Sequence, residues 1–327
     1  MPILCKSTEN SVAQTINPLY KHRVMSIRFF TDSHHAPSRP SPKSSRHCER
    51  SLPLIQQCLN TITIDCEAVI FGGDAIMATY NQPQIYHETL MQEFGAAACQ
   101  SRVPFHPVAG NHEYDYFRDL DRLSALTGLS YANKVIDLND GQRLIFLNDQ
   151  FHDHGLRILY PYTDESLDFV RTSMAEAPTN MITLITHTPI DDFGPHLAKT
   201  IRRKDDPAYS FRSNAGALRK LLENSGKNCL VLSGHTHHEH FFHHRNVAYL
   251  TLQSLIEGVR AAWPEKTHAR WADITRKDEN SLHIKLHGHN GRDIHHTYFP
   301  SYTKAPSSAL ATNDTAAADM PPSLAAE

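Results

Sequence analysis

The chain has 327 residues, 40% of them hydrophobic and 20% charged, with a formal net charge of -3. This apolar content excludes wholesale disorder, and the near-zero charge excludes global attraction to a polyanion such as DNA. No stretch approaches the roughly 20 apolar residues of a membrane span.

Residues 1–24 show no periodicity and lack the continuous apolar core of a secretory signal, so a poorly ordered extension is expected there. The folded domain is expected to span 25–302, opening on the strand-like Ser26–Thr31. A Pro/Ser-rich loop over 36–45 precedes a predicted helix over 51–63, in which Leu52, Ile55 and Leu59 recur at spacings of three and four. The apolar run Ala68–Phe71 ends in Gly72-Gly73-Asp74, which reads as a strand entering a loop. A helix over 84–99 and a strand over 103–109 follow, the latter ending in Gly110-Asn111-His112-Glu113. Segments 134–137 and 143–147 read as paired strands about the turn at 139–141, and 165–174 as a helix. The buried-type strand 181–186 ends at His187, 215–223 is helical, and the strand 230–232 runs into Ser233-Gly234-His235-Thr236-His237. Strands are expected at 247–252, 281–286 and 295–299. Residues 303–327 are mostly Ala, Ser, Pro and Thr without an aromatic, and cannot bury enough surface to offset their ordering entropy, so a disordered tail is expected. Trp263 and Trp271 are read as core and loop packing. His238, His240, His243 and His244 are read as strand or loop residues that add at most a weak surface metal site. Strands alternating with helices argue for an α/β fold whose polar loops lie at strand ends.

The six cysteines, Cys5, Cys48, Cys58, Cys66, Cys99 and Cys229, form no C-x-x-C pair, which argues against a zinc knuckle or thioredoxin-like motif. Reduced thiols and a cytoplasmic location are expected.

Five segments place Asp, Asn or His just beyond an apolar strand: Asp32-Ser33-His34, Gly73-Asp74, Gly110–Glu113, Thr186-His187 and Gly234–His237. In extended chain, residues i and i+2 point to one side, so Asp32 with His34, and His235 with His237, are expected to converge. Carboxylate, amide oxygen and imidazole together suit Mn²⁺, Fe²⁺ or Zn²⁺. Asp32, His34, Asp74, Asn111, His187, His235 and His237 are too many ligands for one tetrahedral ion. They suit two ions sharing a carboxylate at a separation of roughly 3.5 to 4 Å. The glycines before Asp74, Asn111 and His235 permit close backbone approach.

In order and spacing these motifs resemble the five signatures of the calcineurin-like metallophosphoesterase superfamily, D-x-H, G-D, G-N-H-[DE], a lone H, and G-H-x-H. The resemblance implies a four-layer α-β-β-α sandwich with a dinuclear metal site at the strand ends. It implies one ion on Asp32, His34, Asp74 and His237, and a second on Asp74, Asn111, His187 and His235. It also implies that His112 contacts the phosphoryl group and protonates the leaving oxygen.

Asp32-Ser33-His34 lacks a following glycine and Gly73-Asp74 lacks the V-D-R-G of Ser/Thr protein phosphatases. Met77 stands where purple acid phosphatases carry tyrosine, and His112 where lipid A precursor pyrophosphatases carry arginine. Residues 110–115 are similar to those of periplasmic 5'-nucleotidases, whose signal and large C-terminal domain are not read here. By elimination the chain is most similar to class III cyclic-nucleotide phosphodiesterases and glycerophosphodiesterases. A phosphodiesterase on a small substrate such as a cyclic nucleotide is therefore expected. The alternatives are a phosphomonoesterase or nucleotidase, and a non-catalytic metal-binding protein. A nuclease is disfavoured by the absence of a basic, aromatic-flanked stripe, and no membrane partner is expected.

Overall fold

Neighbouring residues of a strand face opposite sides of its sheet, so a strand apolar on both sides must be covered from both directions. Half of the described strands are of that kind. The computed structural model describes residues 25–41, 44–79, 81–149, 161–191, 212–257, 270–288, 291 and 293–299. The expected extension over 1–24 and the expected tail over 303–327 lie outside the described residues, as does Trp263.

The chain begins with β1 (Ser26–Phe30), α1 (Ser51–Asn60), β2 (Cys66–Phe71), α2 (Gln84–Ala98) and β3 (Phe105–Pro107), then the short α3 (Asn111–Tyr114) and α4 (Leu120–Thr127). It continues through β4 (Lys134–Asp137), β5 (Arg143–Phe146), α5 (Asp164–Ala175), β6 (Met181–Ile185), α6 (Ala215–Glu223) and β7 (Asn228–Ser233). Five strands follow: β8 (His240–His244), β9 (Val247–Thr251), β10 (Trp271–Asp278), β11 (Ser281–His287) and β12 (Asp293–Tyr298).

The strands form two six-stranded sheets, one ordered β12-β11-β10-β1-β2-β3 and the other β4-β5-β6-β7-β9-β8. β1, β2 and β3 run parallel, as do β5, β6, β7 and β9, while β10, β11 and β12, and β4 and β8, pair antiparallel with their neighbours. Alternation sorts the side chains into layers. Ile27, Phe29, Ala68 and Ile70 of the first sheet pack against Leu144, Phe146, Leu230 and Leu232 of the second, forming the core between sheets. Phe30, Val69 and Phe71 turn the other way, onto Ile55 and Leu59 of α1 and Met91 and Phe94 of α2. Ile145, Cys229 and Val231 turn onto Val170 and Met174 of α5 and Leu218 and Leu222 of α6. The result is the expected α-β-β-α stack. Each fully buried apolar side chain contributes about 1.5–3 kcal/mol to holding it.

Three elements go beyond the sequence reading, the short α3 among them. α4 has leucines at 120 and 123, an Asp119 side chain capping Asp121 N, and Gly128 at φ 71 closing its C-terminus. β10 starts at Trp271, read from sequence as core or loop, and buries Ala272 and Ile274, while Asp273 pairs with Arg28 and Lys277 and Asp278 are exposed. Cys48, Cys58, Cys66 and Cys229 are free and buried. Cys99 is disulfide-bonded, so the expectation of reduced thiols fails there. Among the described residues no helix is long and apolar enough to cross a membrane.

Candidate metal centre

The five polar segments follow the C-terminal ends of parallel strands β1, β2, β3, β6 and β7, the edge at which open α/β sheets present their sites. The loops after β1 and β2 lie against each other: Asp32 N donates to Gly73 O and His34 N to Asp74 O, both at 2.9 Å. Across the sheets, Gly234 N donates to His187 O at 2.9 Å and His235 N to the Asp32 carboxylate at 3.0 Å. One carboxylate thus ties the first sheet to the last motif of the second.

The backbone at these residues is not the extended chain that the sequence suggested. Asp32, His34, Asp74, His235 and His237 have φ of 53°, 39°, 57°, 66° and 54°. The left-handed region is costly for residues with a Cβ, and of the non-glycine residues found there among the described residues only Arg245 lies outside the motifs. Convergence therefore comes from a backbone turn at each residue rather than from strand periodicity. Gly110 and Gly234 allow the crowding this requires. A Cβ on Gly110 would overlap the Asp74 carboxylate, and one on Gly234 would overlap the Thr31 and Asp32 side chains.

Two donor groups result, sharing only Asp74: Asp32, His34, Asp74 and His237, and Asp74, His187 and His235, each with donor atoms within 4.8 Å of one another. In the first, His34 Nε2 lies 2.8 Å from His237 Nε2, 3.6 Å from Asp32 Oδ1 and 3.7 Å from Asp74 Oδ2, while His237 Nε2 is 3.1 Å from Asp32 Oδ1. In the second, Asn111 Oδ1 lies 2.9 Å from His235 Nδ1 and 3.3 Å from His187 Nε2, which is itself 3.4 Å from Asp74 Oδ1. All seven sequence-selected residues are brought together.

The electrostatics ask for positive charge. Burial pushes Asp32 and Asp74 upward, but neighbouring histidines, His237 foremost for Asp32 and His187 for Asp74, hold both well below the usual carboxylate range. Burial likewise opposes a charged His187, yet Asp74 and Asp32 drive it up to about 9. Two buried carboxylates thus draw protons onto nearby imidazoles, a role that divalent ions fill in a site of this donor chemistry. His187 Nδ1 donates to Gly72 O at 2.6 Å, and His237 Nδ1 faces Glu257 Oε2 at 3.4 Å. These outer contacts leave the Nε2 lone pairs directed inward, as metal-binding imidazoles require.

His112 is different. Its Nδ1 accepts the Ala78 N–H at 2.7 Å, which fixes the tautomer with the proton on Nε2, and that atom lies 3.9 Å from Asp74 Oδ2. Burial pushes the ring down to about 3, so it is neutral and presents an N–H toward the centre.

Several residues hold the site that sequence reasoning did not assign. Glu113 Oε2 accepts from Asp74 N at 2.9 Å and Gly110 N at 2.7 Å, and Oε1 from Ala75 N at 2.7 Å. Burial, with the Asp74 charge second, pushes its carboxyl up to about 7. The signal was present, since Glu113 closes a motif whose other members had roles. Ser254 Oγ donates to Asp32 O at 2.6 Å, and the Glu257 carboxylate accepts from Ser45 Oγ at 3.1 Å. No motif marks either residue.

A family model described as calcineurin-like phosphoesterase matches residues 25–239. No curated protein matches the sequence. Among solved structures, the chain is similar to a dimetal phosphatase from Danio rerio, with 17% identity, a TM-score of 0.62, and coverage of 85% of this chain and 100% of that one. It is also similar to GAP50, described as the anchor in the inner membrane complex of Plasmodium, at 14% identity and TM-score 0.51, covering 87% and 91%. A structure of PhoD shares 9% identity with TM-score 0.52, covering 85% of this chain and 69% of that chain. At these identities the structures speak to the fold.

Proposed function

This chain belongs to the calcineurin-like phosphoesterase family and is a hydrolase of phosphoester bonds, and from that premise we propose that it is a two-metal phosphodiesterase acting on a small substrate. Asp32, His34, Asp74 and His237 would hold one divalent ion, and Asp74, Asn111, His187 and His235 the other, with Mn²⁺, Fe²⁺ or Zn²⁺ suiting the donors. The observation that carries this reading is the pair of donor groups meeting at Asp74. When bound, such a pair of ions supplies activation of water near neutral pH and screening of phosphoryl charge.

The chain's own residues supply the rest. Asp32 and Asp74 stay ionised in a buried setting and so remain ligands. His187 and His237 are oriented by Gly72 O and Glu257. His112 points its Nε2–H toward the centre, where it would hydrogen-bond a phosphoryl oxygen, and it would protonate the leaving oxygen only from the imidazolium form, which the negative charge of a bound phosphoryl group favours. Elimination among related motif patterns supports a small diester, with cyclic nucleotides as the first substrates to test. We further read the protein as cytoplasmic, with no membrane or nucleic-acid partner, on its composition and charge.

A shared fold does not by itself establish turnover, so the proposed role of His112 is the part to be tested. The test is elemental analysis of purified protein, paired with hydrolysis of a bis-aryl phosphodiester, an aryl monoester, cyclic nucleotides and nucleoside diphosphates. His112→Ala should keep its metal and lose about 100-fold or more in kcat. A fully metallated wild type that turns over none of the panel sinks the enzymatic reading, and preference for the monoester redirects it to a phosphatase.

A further inference from the structure

We propose that the guanidinium of Arg46 is the phosphate clamp of this site, gripping the non-bridging oxygens of the substrate's phosphoryl group. The proposal rests on the two-metal reading and deepens it by naming a residue that binds substrate. Nothing in the motif pattern points to Arg46, which sits in the connection between β1 and α1.

Its position is fixed from two sides. On one side Arg46 pairs as an antiparallel bridge with Glu257, and its neighbour His47 donates through N to Ile256 O at 3.1 Å. Ser45 Oγ donates to Glu257 Oε1, and Glu257 Oε2 faces His237 Nδ1 at 3.4 Å. The Arg46 backbone is therefore anchored to the segment that orients His237. On the other side the tip of the chain, Nη1, lies 4.0 Å from Met77 Sδ, and the next residue, Ala78, is the one whose N–H holds His112 Nδ1. The side chain thus reaches from the His237 side of the site to the His112 side.

The guanidinium is half-buried and makes no ion pair among the described residues. The nearby Glu257 carboxylate feels the Arg46 charge but is already engaged with Ser45 and His237, so the half-buried guanidinium keeps donors for a further anion, and two cations in a filled centre would favour one. The anion that suits it is a tetrahedral oxyanion lying between the donor groups and Arg46, because the planar fork offers paired N–H donors to two oxygens at once. Arg46 then separates phosphoryl ligands from other small anions by geometry, and contributes to substrate affinity more than to the bond-breaking step.

The test uses full-length, Mn²⁺-loaded protein and inorganic phosphate as the probe, with phosphate affinity measured by calorimetry and metal content by elemental analysis. Arg46→Ala should bind phosphate about 100-fold more weakly at unchanged metal content, and Arg46→Lys, which keeps the charge but not the fork, about tenfold more weakly. With a hydrolysed substrate, KM should rise by similar factors and kcat should change much less. Phosphate affinity in either variant within twofold of wild type overturns the clamp, as does a metal-loaded wild type that binds no phosphate. If Arg46→Ala does not fold, the Arg46→Lys comparison decides alone. A wild type that binds phosphate through Arg46 but hydrolyses nothing would refute the enzymatic reading while leaving the clamp standing.

Discussion

Glu113→Gln is the sharpest perturbation of the framework, because one carboxylate serves two loops. Its Oε2 accepts from Asp74 N and Gly110 N, and its Oε1 from Ala75 N with Ile76 N more distant at 3.4 Å. Glutamine keeps one acceptor oxygen and puts an NH₂ group in place of the other. If the amide nitrogen replaces Oε2, Asp74 N and Gly110 N lose their acceptor; if it replaces Oε1, Ala75 N and Ile76 N do. Either orientation strands buried donors at about 1–3 kcal/mol each, so the variant should lose about 3–5 kcal/mol, a large part of the roughly 5–15 kcal/mol that holds a typical domain. Two of those N–H groups belong to or precede proposed metal ligands, Asp74 and Asn111, so metal affinity should fall about 10- to 100-fold. Urea melts at pH 8, above the value near 7 to which burial pushes Glu113, would read the stability, and elemental analysis the metal. A variant within about 1 kcal/mol of wild type that retains full metal would refute the claim that Glu113 sets the two loops.

Gly234→Ala would push a Cβ into Thr31 and the Asp32 carboxylate; a loss of about 1–3 kcal/mol and of metal occupancy is expected, and a fully metallated variant would contradict it. Removing metal with a chelator should lower Tm by the linkage of ligand binding while circular dichroism retains the native helix and strand content, and Mn²⁺ should restore both Tm and turnover. Arg28 is fully buried and paired through Nε and Nη2 with Asp273 at 2.7 and 2.8 Å. Burial pushes Asp273 upward, but His287 and Arg28 outweigh it and hold the carboxyl below its ordinary 3.8. A depressed carboxyl contributes stability that is present above its unfolded value and lost as pH falls through its folded value. Asp273→Asn should therefore cost about 3–5 kcal/mol near neutral pH and flatten the decline in stability below about pH 4. An unchanged acid limb in denaturation curves would remove Asp273 from that role.

The parts of this molecule legible in sequence share one physical signature, an apolar run that stops abruptly at a polar residue. Strands buried on both faces read as continuous hydrophobic stretches, so the ends of β1, β2, β3, β6 and β7 marked themselves, and the motif residues at those ends were found with them. What stayed hidden depends on which strand lies beside which. Ser254, Glu257 and Arg46 meet the site because Leu255 N donates to Thr31 O at 3.1 Å and Arg46 bridges Glu257, contacts between segments about 200 residues apart that carry no periodicity. The left-handed backbone at Asp32, His34, Asp74, His235 and His237 was equally hidden. Local preference opposes it by about 1–3 kcal/mol per residue, and only tertiary structure can impose it. The imposing contacts are all supplied by protein: Gly73 O and Asp74 O hold the first motif, Glu113 the second, and the Asp32 carboxylate and His187 O the last. Each of these contacts joins one part of the protein to another, so the fold itself contributes to holding the strain, and removing metal should loosen the ligand side chains before it unfolds the chain.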